Sequence, residues 1–509
     1  MNDSTFDYII VGAGTAGCLL ANRLSADASK RVLLIEAGKR DDYHWIHIPV
    51  GYLYCIGNPR TDWLYETQAA EGLNGRTLRY PRGKVLGGCS SINGMIYMRG
   101  QSRDYNQWAA ITDDPQWRWD QCLPYFKFHE DHHHGANETH GAHGVPAALL
   151  NPQAHDDAAS AEYFRILKAR KAGGEWRIEK QRLSWGVLDA FAQAAQQAGV
   201  PASNDFNQGN NEGVGYFEVN QKSGWRWNTA QAFLRPTCYA RPNFELWTQA
   251  QVAGLVIETD ADGGKRCTGV KVWDGQQLVT ATATREVALS AGSIGSAQIL
   301  QLSGIGAAQS LKQNGVDVVH DLPGVGANLQ DHLQIRSVYK VKHAKTLNTL
   351  ANSWWGKAKI GLEYAMSRSG PMSMAPSQLG AFTKSDPARE WANIQYHVQP
   401  LSLDAFGEPL HKFPAITASV CNLNPSSRGS VTLKSPDFKV PPAIAPNYLS
   451  TEEDRKVAAD SLRVTRRIMS QPAMAAFEPE EFKPGVQYQS DEELAKLAGD
   501  IASTIFHPV

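Results

Sequence analysis

The chain has 509 residues, enough for two or more domains and a large hydrophobic core. Its 50 basic and 51 acidic residues give a formal net charge of −1 without a long basic run, which disfavours nucleic acid or an anionic membrane surface as a partner. The seven cysteines are scattered and form no CxxC pair, so we expect neither a disulfide framework nor a structural zinc site.

The N-terminus is acidic and runs directly into an apolar segment, without the basic and long apolar regions of a signal peptide. The uncharged stretch 287–311 contains too many Ser, Gly and Gln residues for a lipid-facing span. Together with the cysteine pattern, these features predict a cytoplasmic protein, with peripheral membrane contact left open.

A strand, a glycine-rich turn and a helix are predicted at the start of the chain. The apolar run 8–11 leads into Gly12-Ala13-Gly14-Thr15-Ala16-Gly17 and then a helical stretch. Gly12 allows a tight turn, Gly14 lets the backbone approach a pyrophosphate, and Gly17 lets the helix pack closely on the sheet. The N–H groups at the start of the helix would face the phosphates. The segment therefore predicts a site for an adenine dinucleotide.

A second apolar run, 32–35, ends at Glu36. A carboxylate at this position can accept hydrogen bonds from both ribose hydroxyls, and its charge would repel a 2′-phosphate. NADP is therefore disfavoured, whereas FAD and NAD both remain open at this point.

Residues 82–97 form a run rich in Gly and Ser that follows a loop-rich stretch. Such a run supplies backbone N–H groups without bulk, which suits a flat ligand lying against the main chain. A surface loop is the alternative. The absence of charge after Lys84, and the apolar residues that follow, favour a buried ligand contact.

Six of the 15 histidines lie between residues 129 and 143. Metal binding is the functional interpretation of such a cluster, and a solvated loop is the alternative. The surrounding residues include Gly, Asn, Ala and Thr, and no carboxylate–histidine motif is present in the sequence there. We therefore predict a solvated loop and no metal site.

The remaining pattern predicts a discontinuous domain and a second sheet. Residues 286–292 again read as a strand that runs into a glycine turn, with Ser296 as the expected N-cap of a helix over 297–302. Alternating segments with proline-rich connections over 331–485 predict a largely antiparallel sheet. Helices are predicted over 188–198 and 454–469.

The predicted fold class is therefore α/β, with two domains. A Rossmann-like nucleotide-binding domain comprises residues 1–150, 210–330 and 490–509. A substrate-binding domain, with a largely antiparallel sheet backed by helices, comprises residues 151–209 and 331–489.

Two long segments resemble the signatures of the glucose-methanol-choline (GMC) family of flavin-dependent alcohol oxidases and dehydrogenases. They are GKVLGGCSSINGMIY over 83–97 and GSIGSAQILQLSGIG over 292–306. The phrases 322–332 and 425–429 are also similar to family sequences. Cys89 and Ala297 depart modestly from the family pattern. The resemblance covers residues 6–509, and bacterial choline and aliphatic alcohol dehydrogenases are the nearest branch.

This resemblance implies that the cofactor is FAD. It implies that Glu36 holds the adenosine ribose and that Val252 meets the adenine through its backbone. Ile92 stands where the covalently flavinylated branches carry histidine, which implies non-covalent FAD. The predicted cofactor-binding residues are Gly12, Gly14, Thr15, Ala16, Gly17, Glu36, Ala37, Val85, Gly88, Asn93, Gly94, Met95, Ile96 and Val252.

Residues 505–509 resemble the start of the family's catalytic segment, in which a histidine faces the flavin. Without the resemblance, His507 would be interpreted as a residue of a frayed tail. With it, His507 is expected to act as a base or an electrostatic partner. The second His or Asn of the catalytic pair is expected beyond Val509, so either the sequence is incomplete or the protein is impaired.

The resemblance implies oxidation of a primary alcohol to an aldehyde by hydride transfer to flavin N5. Oxygen, a quinone or another carrier would accept the electrons. Ile505, Phe506 and Gln334 are the expected substrate-pocket residues. Choline-specific relatives carry a carboxylate where Gln334 stands, so a neutral aliphatic or aromatic alcohol is favoured. A lyase of the hydroxynitrile lyase type and a non-catalytic FAD-binding protein are the alternatives, and the oligomeric state is not indicated.

Overall fold

The computed structural model describes residues 4–135, 137, 174–404 and 408–508. His140, His143 and residues 151–173 of the predicted substrate domain lie outside the described residues. Within the described ranges, the helices numbered in chain order are α1 Thr15–Leu24, α2 His44–His47, α3 Tyr52–Cys55, α4 Ser102–Thr112, α5 Trp119–His129, α6 Gly186–Gln197, α7 Gly292–Leu302, α8 Ala308–Gln313, α9 Leu347–Ala351, α10 Trp354–Ser367, α11 Glu452–Met469 and α12 Asp491–Ile501.

The strands, also numbered in chain order, fall into two large sheets and several short pairings. The first sheet contains β1 Ser4–Val11, β2 Val32–Glu36, β9 Phe244–Thr248, β10 Gln251–Thr259, β11 Lys265–Trp273 and β12 Leu278–Leu289. The second contains β5 Gly213–Tyr216, β15 Asp331–Lys340, β16 Leu379–Thr383, β17 Ile394–Gln399, β18 Ala415–Asn422, β21 Glu480–Lys483 and β22 Ala502–Pro508. The short strands are β3 Glu130–His132, β4 Trp176–Lys180, β6 Glu218–Val219, β7 Gln221–Lys222, β8 Trp225–Arg226, β13 Ile305–Gly306, β14 His320–Asp321, β19 Ser430–Thr432 and β20 Ala443–Ala445.

The first sheet has the order β10-β11-β12-β1-β2-β9. The pairs β12–β1, β1–β2 and β2–β9 are parallel. The pairs β10–β11 and β11–β12 are antiparallel. Every residue of β2 is buried, which is typical of a parallel strand covered on both faces. Leu33 and Ile35 pack into one core, and Val32 and Leu34 pack into the core that contains residues of α1.

The second sheet is antiparallel and has the order β21-β15-β18-β17-β16-β5, with β22 also paired to β15. One face carries apolar residues such as Ile335 and Tyr396, which share a core with Phe191 of α6 and Leu462 of α11. Because side chains alternate along a strand, the neighbouring residues of β15 and β17 point to the opposite face. That opposite face is turned toward the cavity described below.

The predicted fold class is confirmed, including the nucleotide sheet that is assembled from distant segments. Two strands from ranges predicted for the nucleotide domain, β5 and β22, pair within the second sheet instead. Their pairing depends on contacts with residues far along the chain, which local patterns do not reveal. The residue boundaries of the two domains stay a prediction.

The expected N-cap at Ser296 is wrong, because α7 begins at Gly292, directly after β12. The helices expected over 188–198 and 454–469 are present with ends shifted by one or two residues. Across the described ranges, we find no helix whose length and hydropathy would let it cross a bilayer.

Candidate active site

A cavity of about 1780 Å³ lies between the glycine turns of the first sheet and the polar face of the second. It brings together segments that are distant in sequence. The predicted site residues that line it are Gly12, Gly14, Thr15, Ala16, Glu36, Ala37, Gly88, Asn93, Gly94, Met95, Ile96, Val252, Gln334, Ile505, Phe506 and His507. Two other predicted cofactor residues lie behind this surface. Gly17 packs under the turn, and the side chain of Val85 belongs to a small core with Ile46 and Ile92.

The glycine turns form a narrow cradle of main chain. Gly12 has φ +97°, and a Cβ there would lie 2.6 Å from the Ser290 carbonyl oxygen. Gly88 has φ +54°, and its Cβ would lie 2.7 Å from the Gly14 Cα. A Cβ on Gly14 would meet nothing closer than 4.0 Å, so at this glycine the missing side chain leaves open space. The two turns thus require glycine for their own packing and expose backbone to the cavity.

Glu36 lies at the end of β2, beside the same cradle. Its carboxylate accepts hydrogen bonds from the backbone N–H groups of Ala13 (3.0 Å) and Gly38 (2.8 Å). Burial raises the pKa of Glu36 to about 7, although both hydrogen bonds favour the ionised form. The carboxylate is therefore fixed in position, and its oxygen atoms can accept further hydrogen bonds.

Two helix N-termini line the cavity close to this carboxylate. Thr15 and Ala16 are in the first turn of α1, and Gly292 and Ser293 are in the first turn of α7. Neither first turn contains an acidic residue. The unpaired N–H groups and dipoles of both helices favour a negatively charged ligand group such as a diphosphate.

Asn93 fixes the backbone that continues along the cavity. Its side-chain oxygen accepts hydrogen bonds from the Met95 N–H (3.0 Å) and from Arg226 Nη1 (2.9 Å). Met95 has φ +61°, so this hydrogen bond supports a left-handed residue. Arg226 is fully buried on β8, and burial lowers the pKa of its guanidinium to about 10. Sequence reasoning missed Arg226, because the surrounding segment contains no recognisable motif.

His507 lies on β22 at the opposite side of the cavity. Its side chain is accessible from the cavity. Protein atoms surround the imidazole closely enough to desolvate it, and this desolvation lowers its pKa. The ring of His332, on β15, lies 5.2 Å from the ring of His507 between centroids, nearly perpendicular to it. These two histidines are brought together by the pairing of β15 with β22.

His332 has a defined tautomer. Its Nε2 lies 3.1 Å from the Leu423 carbonyl oxygen, which can only accept, so Nε2 carries the proton. The buried Nδ1 has no hydrogen-bond partner among the described residues. Burial and the nearby His507 lower the pKa of His332 to about 3, so the ring is neutral at physiological pH. His332 was not predicted as a site residue, although it belongs to the family phrase 322–332.

Asp331 holds the end of β22 in place. Its carboxylate accepts hydrogen bonds from the hydroxyl groups of Tyr80 (2.7 Å), Tyr448 (2.5 Å) and Thr504 (2.7 Å). The Thr504 hydroxyl in turn accepts the Phe506 N–H (2.8 Å), and Phe506 has φ +77°. This chain of hydrogen bonds fixes the backbone immediately before His507.

The family models of the GMC oxidoreductases match residues 6–334 and 425–509. The chain belongs to the GMC oxidoreductase family. GMC oxidoreductases bind FAD, and this chain is an FAD-dependent oxidoreductase that acts on alcohols.

Several relatives are similar to this GMC oxidoreductase over almost its whole length. The alcohol dehydrogenase [acceptor] of Pseudomonas putida is 37% identical over 507 residues, which are 99% of this chain and 85% of that protein. The oxygen-dependent choline dehydrogenase of Pseudomonas entomophila (strain L48) is 36% identical over 509 residues, 99% of this chain and 84% of that protein.

Solved structures have the same fold. The pyridoxine 4-oxidase from Mesorbium loti has a TM-score of 0.83 and 28% identity, covering 99% of this chain and 87% of its own. A formate oxidase also has a TM-score of 0.83, at 23% identity, covering 100% of this chain and 89% of its own. The second likeness concerns the fold alone.

The residues of this GMC oxidoreductase fit FAD. The glycine cradle leaves space that side chains would fill, and two helix N-termini face it. Glu36 offers carboxylate oxygens to a ribose. The choice between FAD and NAD, which the first glycine turn leaves open, is thus decided in favour of FAD by the family.

The four histidines of the cluster that the structure describes, His129, His132, His133 and His134, do not form the solvated loop that we expected, because His132 is buried. His132 is buried on β3, and Glu218, from a strand distant in sequence, contacts His132 Nε2 (3.1 Å) and His133 Nε2 (2.7 Å). These three side chains are grouped closely enough to hold a metal ion. However, His132 Nδ1 accepts the His134 N–H (3.2 Å), so His132 Nε2 carries the proton and donates it to Glu218. Hydrogen bonding to the Glu218 carboxylate accounts for the contacts of His132 and His133, and the absence of a metal here stays a prediction.

Proposed function

We propose that this enzyme oxidises a neutral primary alcohol to the corresponding aldehyde, with FAD bound non-covalently. Bound FAD would supply the hydride acceptor, at flavin N5. The observation that carries the proposal is the position of His507, which is accessible from a cavity that also contains the predicted flavin-binding segment. His507 accepts or polarises the hydroxyl proton of the alcohol.

The electrostatics around His507 suit proton transfer from an alcohol. Desolvation lowers its pKa, so the imidazole is neutral and can accept a proton. His332 stays neutral beside it and adds no competing positive charge. The imidazolium formed at His507 stabilises the negative charge that develops on the alcohol oxygen as its proton is transferred, and this charge is lost again when hydride leaves carbon and the aldehyde forms.

A neutral substrate is supported by the residues of the cavity-facing sheet. Gln334 lies on β15 and lines the cavity. Its neighbours on the same face, Gln395, His397 and Gln399 of β17, are also without negative charge. A neutral amide does not balance a buried quaternary ammonium group, so choline is disfavoured.

The non-covalent state of FAD is supported by Ile92, which is buried and lines the cavity. Its hydrocarbon side chain has no nucleophilic atom that could form a bond to the flavin. The carboxylate, helix N-termini and glycine turns described above provide binding through hydrogen bonds and shape alone.

A substrate panel with the purified holoenzyme tests this function. Under anaerobic conditions, neutral primary alcohols should bleach the flavin absorbance, and choline should do so more slowly at equal concentration. Faster bleaching by choline would contradict the assignment of a neutral substrate. Release of benzaldehyde from mandelonitrile without bleaching would indicate a lyase instead. In air, hydrogen peroxide formed in proportion to the aldehyde indicates oxygen as the electron acceptor, whereas turnover that requires an added quinone and forms no peroxide indicates a quinone.

A further inference from the structure

One wall of the cavity is made of amide side chains. Gln334 of β15 and Gln395 of β17 both lie opposite Cys421 of the intervening strand β18. Gln399 lies on the same face of β17 as Gln395, because the two positions are four residues apart and side chains alternate between the faces of a strand. We call Gln334, Gln395 and Gln399 the amide wall. All three are buried and line the cavity.

The strand spacing gives the dimensions of this surface. Adjacent strands are about 4.8 Å apart, so Gln334 and Gln395 lie about 10 Å apart across the sheet. His397 lies on β17 between Gln395 and Gln399 and also lines the cavity. The wall is therefore wide enough to contact a substrate atom several bonds away from the reacting carbon.

Two buried atoms on the cavity-facing side of β17 have no hydrogen-bond partner in the part of the chain that the structure describes. They are Gln399 Oε1 and His397 Nε2. The other end of the Gln399 amide is already engaged, because its Nε2 donates to Ser377 Oγ (3.2 Å). With the amide in this orientation, Gln399 Oε1 is held in a fixed direction and accepts a hydrogen bond.

A buried acceptor without a partner is costly, and a ligand that donates to it recovers that cost. A methyl or methylene group at the same place leaves the acceptor desolvated and unpaired. Sites built in this way discriminate strongly against analogues that lack the matching donor. The chemistry of Gln399 Oε1 therefore specifies a hydrogen-bond donor on the ligand.

We propose that the alcohol substrate carries a second hydroxyl group, which donates a hydrogen bond to the amide wall at Gln399. This inference rests on the proposed function, and it narrows the substrate class from neutral alcohols to diols. The reacting hydroxyl group lies at His507, and the second hydroxyl group lies at the wall. An ether oxygen or a pyridine-type ring nitrogen does not replace the second hydroxyl group, because neither carries a hydrogen to donate.

Matched substrates test this inference with the wild-type holoenzyme. We compare terminal diols of three to six carbons with their monomethyl ethers and with the simple primary alcohols of equal length. At the best chain length, the diol should have a kcat/KM at least tenfold above both the ether and the simple alcohol. Equal values for the three compounds at every chain length would overturn the inference.

A pair of variants locates the recognition. Gln399→Leu removes the acceptor and should reduce the kcat/KM ratio of diol to simple alcohol at least tenfold. Gln193→Leu makes the same chemical change on an exposed position of α6, outside the cavity, and should leave that ratio unchanged. An unchanged ratio in Gln399→Leu would exclude Gln399 as the recognition residue and overturn the proposal.

Failure of the inference is distinguishable from failure of the proposed function. If simple alcohols and diols reduce the flavin equally well, the oxidation of alcohols stands and only the role of the amide wall is wrong. If no alcohol reduces the flavin, the proposed function itself is wrong. Flavin content and the melting temperature of each variant show whether it is folded and loaded with cofactor.

Discussion

His507 combines two properties that a proton acceptor in alcohol oxidation needs. It is accessible from the cavity, and its surroundings keep the imidazole neutral. We expect His507→Ala to slow anaerobic flavin reduction by about 10²-fold or more, because general-base catalysis contributes at least that much. Stopped-flow absorbance measures this rate. His320→Ala, at an exposed histidine of β14, serves as the control, and an unchanged rate in His507→Ala would remove His507 from the mechanism.

The pH dependence follows from the direction of the pKa shifts. The pKa of His507 is lowered below the ordinary imidazole value of about 6.5, so its neutral form persists to lower pH. Since the neutral form is the active one, the rate of flavin reduction should fall toward acidic pH with its midpoint below the ordinary imidazole value. His332 and His397, with pKa values of about 3, do not titrate in this range. A decline whose midpoint lies above about pH 6.5 would show that another group controls the reaction.

At the level of secondary-structure elements, the position of β22 depends on Thr504. Its hydroxyl donates to Asp331 and accepts from the Phe506 N–H. Thr504→Val keeps the shape but breaks both hydrogen bonds, so we expect a loss of about 1–3 kcal/mol in the free energy of unfolding. Displacement of His507 should also slow flavin reduction roughly tenfold or more.

Thr504→Ser is the matched control, because it retains the hydroxyl group. It should behave much more like the wild type in both denaturant unfolding and stopped-flow reduction. If Ser and Val at this position gave the same rate and stability, the hydrogen bonds of Thr504 would not position His507.

The elements were predictable from sequence to different degrees. The first strand, turn and helix follow from a local pattern, and the structure contains all three in the predicted order. The start of α7 did not follow from the sequence, because Ser296 has the chemistry of an N-cap while the glycine at position 292 actually begins the helix. The contacts of Glu218 with His132 and His133 join positions 85 and 86 residues apart. Local patterns carry no information about such pairs.

At the scale of the whole molecule, the active site depends on two sheets that face one cavity. The family resemblance located the part of the lining that its signatures cover, because those signatures coincide with the glycine turns. Gln334 was predicted, whereas Arg226, His332, Gln395 and Gln399 were missed as site residues. Their importance arises only when β8, β15 and β17 are placed around the cavity, which is a property of the sheet order.

The proposed function includes FAD held without a covalent bond, because Ile92 has no nucleophilic atom. Acid precipitation of the holoenzyme should therefore release the flavin into the supernatant and leave a colourless pellet. A covalently flavinylated relative precipitated in parallel serves as the control. Flavin that remained with the polypeptide would contradict this prediction.

The central claim is that this GMC oxidoreductase transfers hydride from a primary alcohol to FAD with His507 as the proton acceptor. Anaerobic titration of the holoenzyme with a primary alcohol, with absorbance and aldehyde measured together, tests it most directly. The account predicts that the flavin bleaches completely and that one aldehyde forms per flavin reduced. A flavin that stays oxidised with every primary alcohol tested would contradict the account.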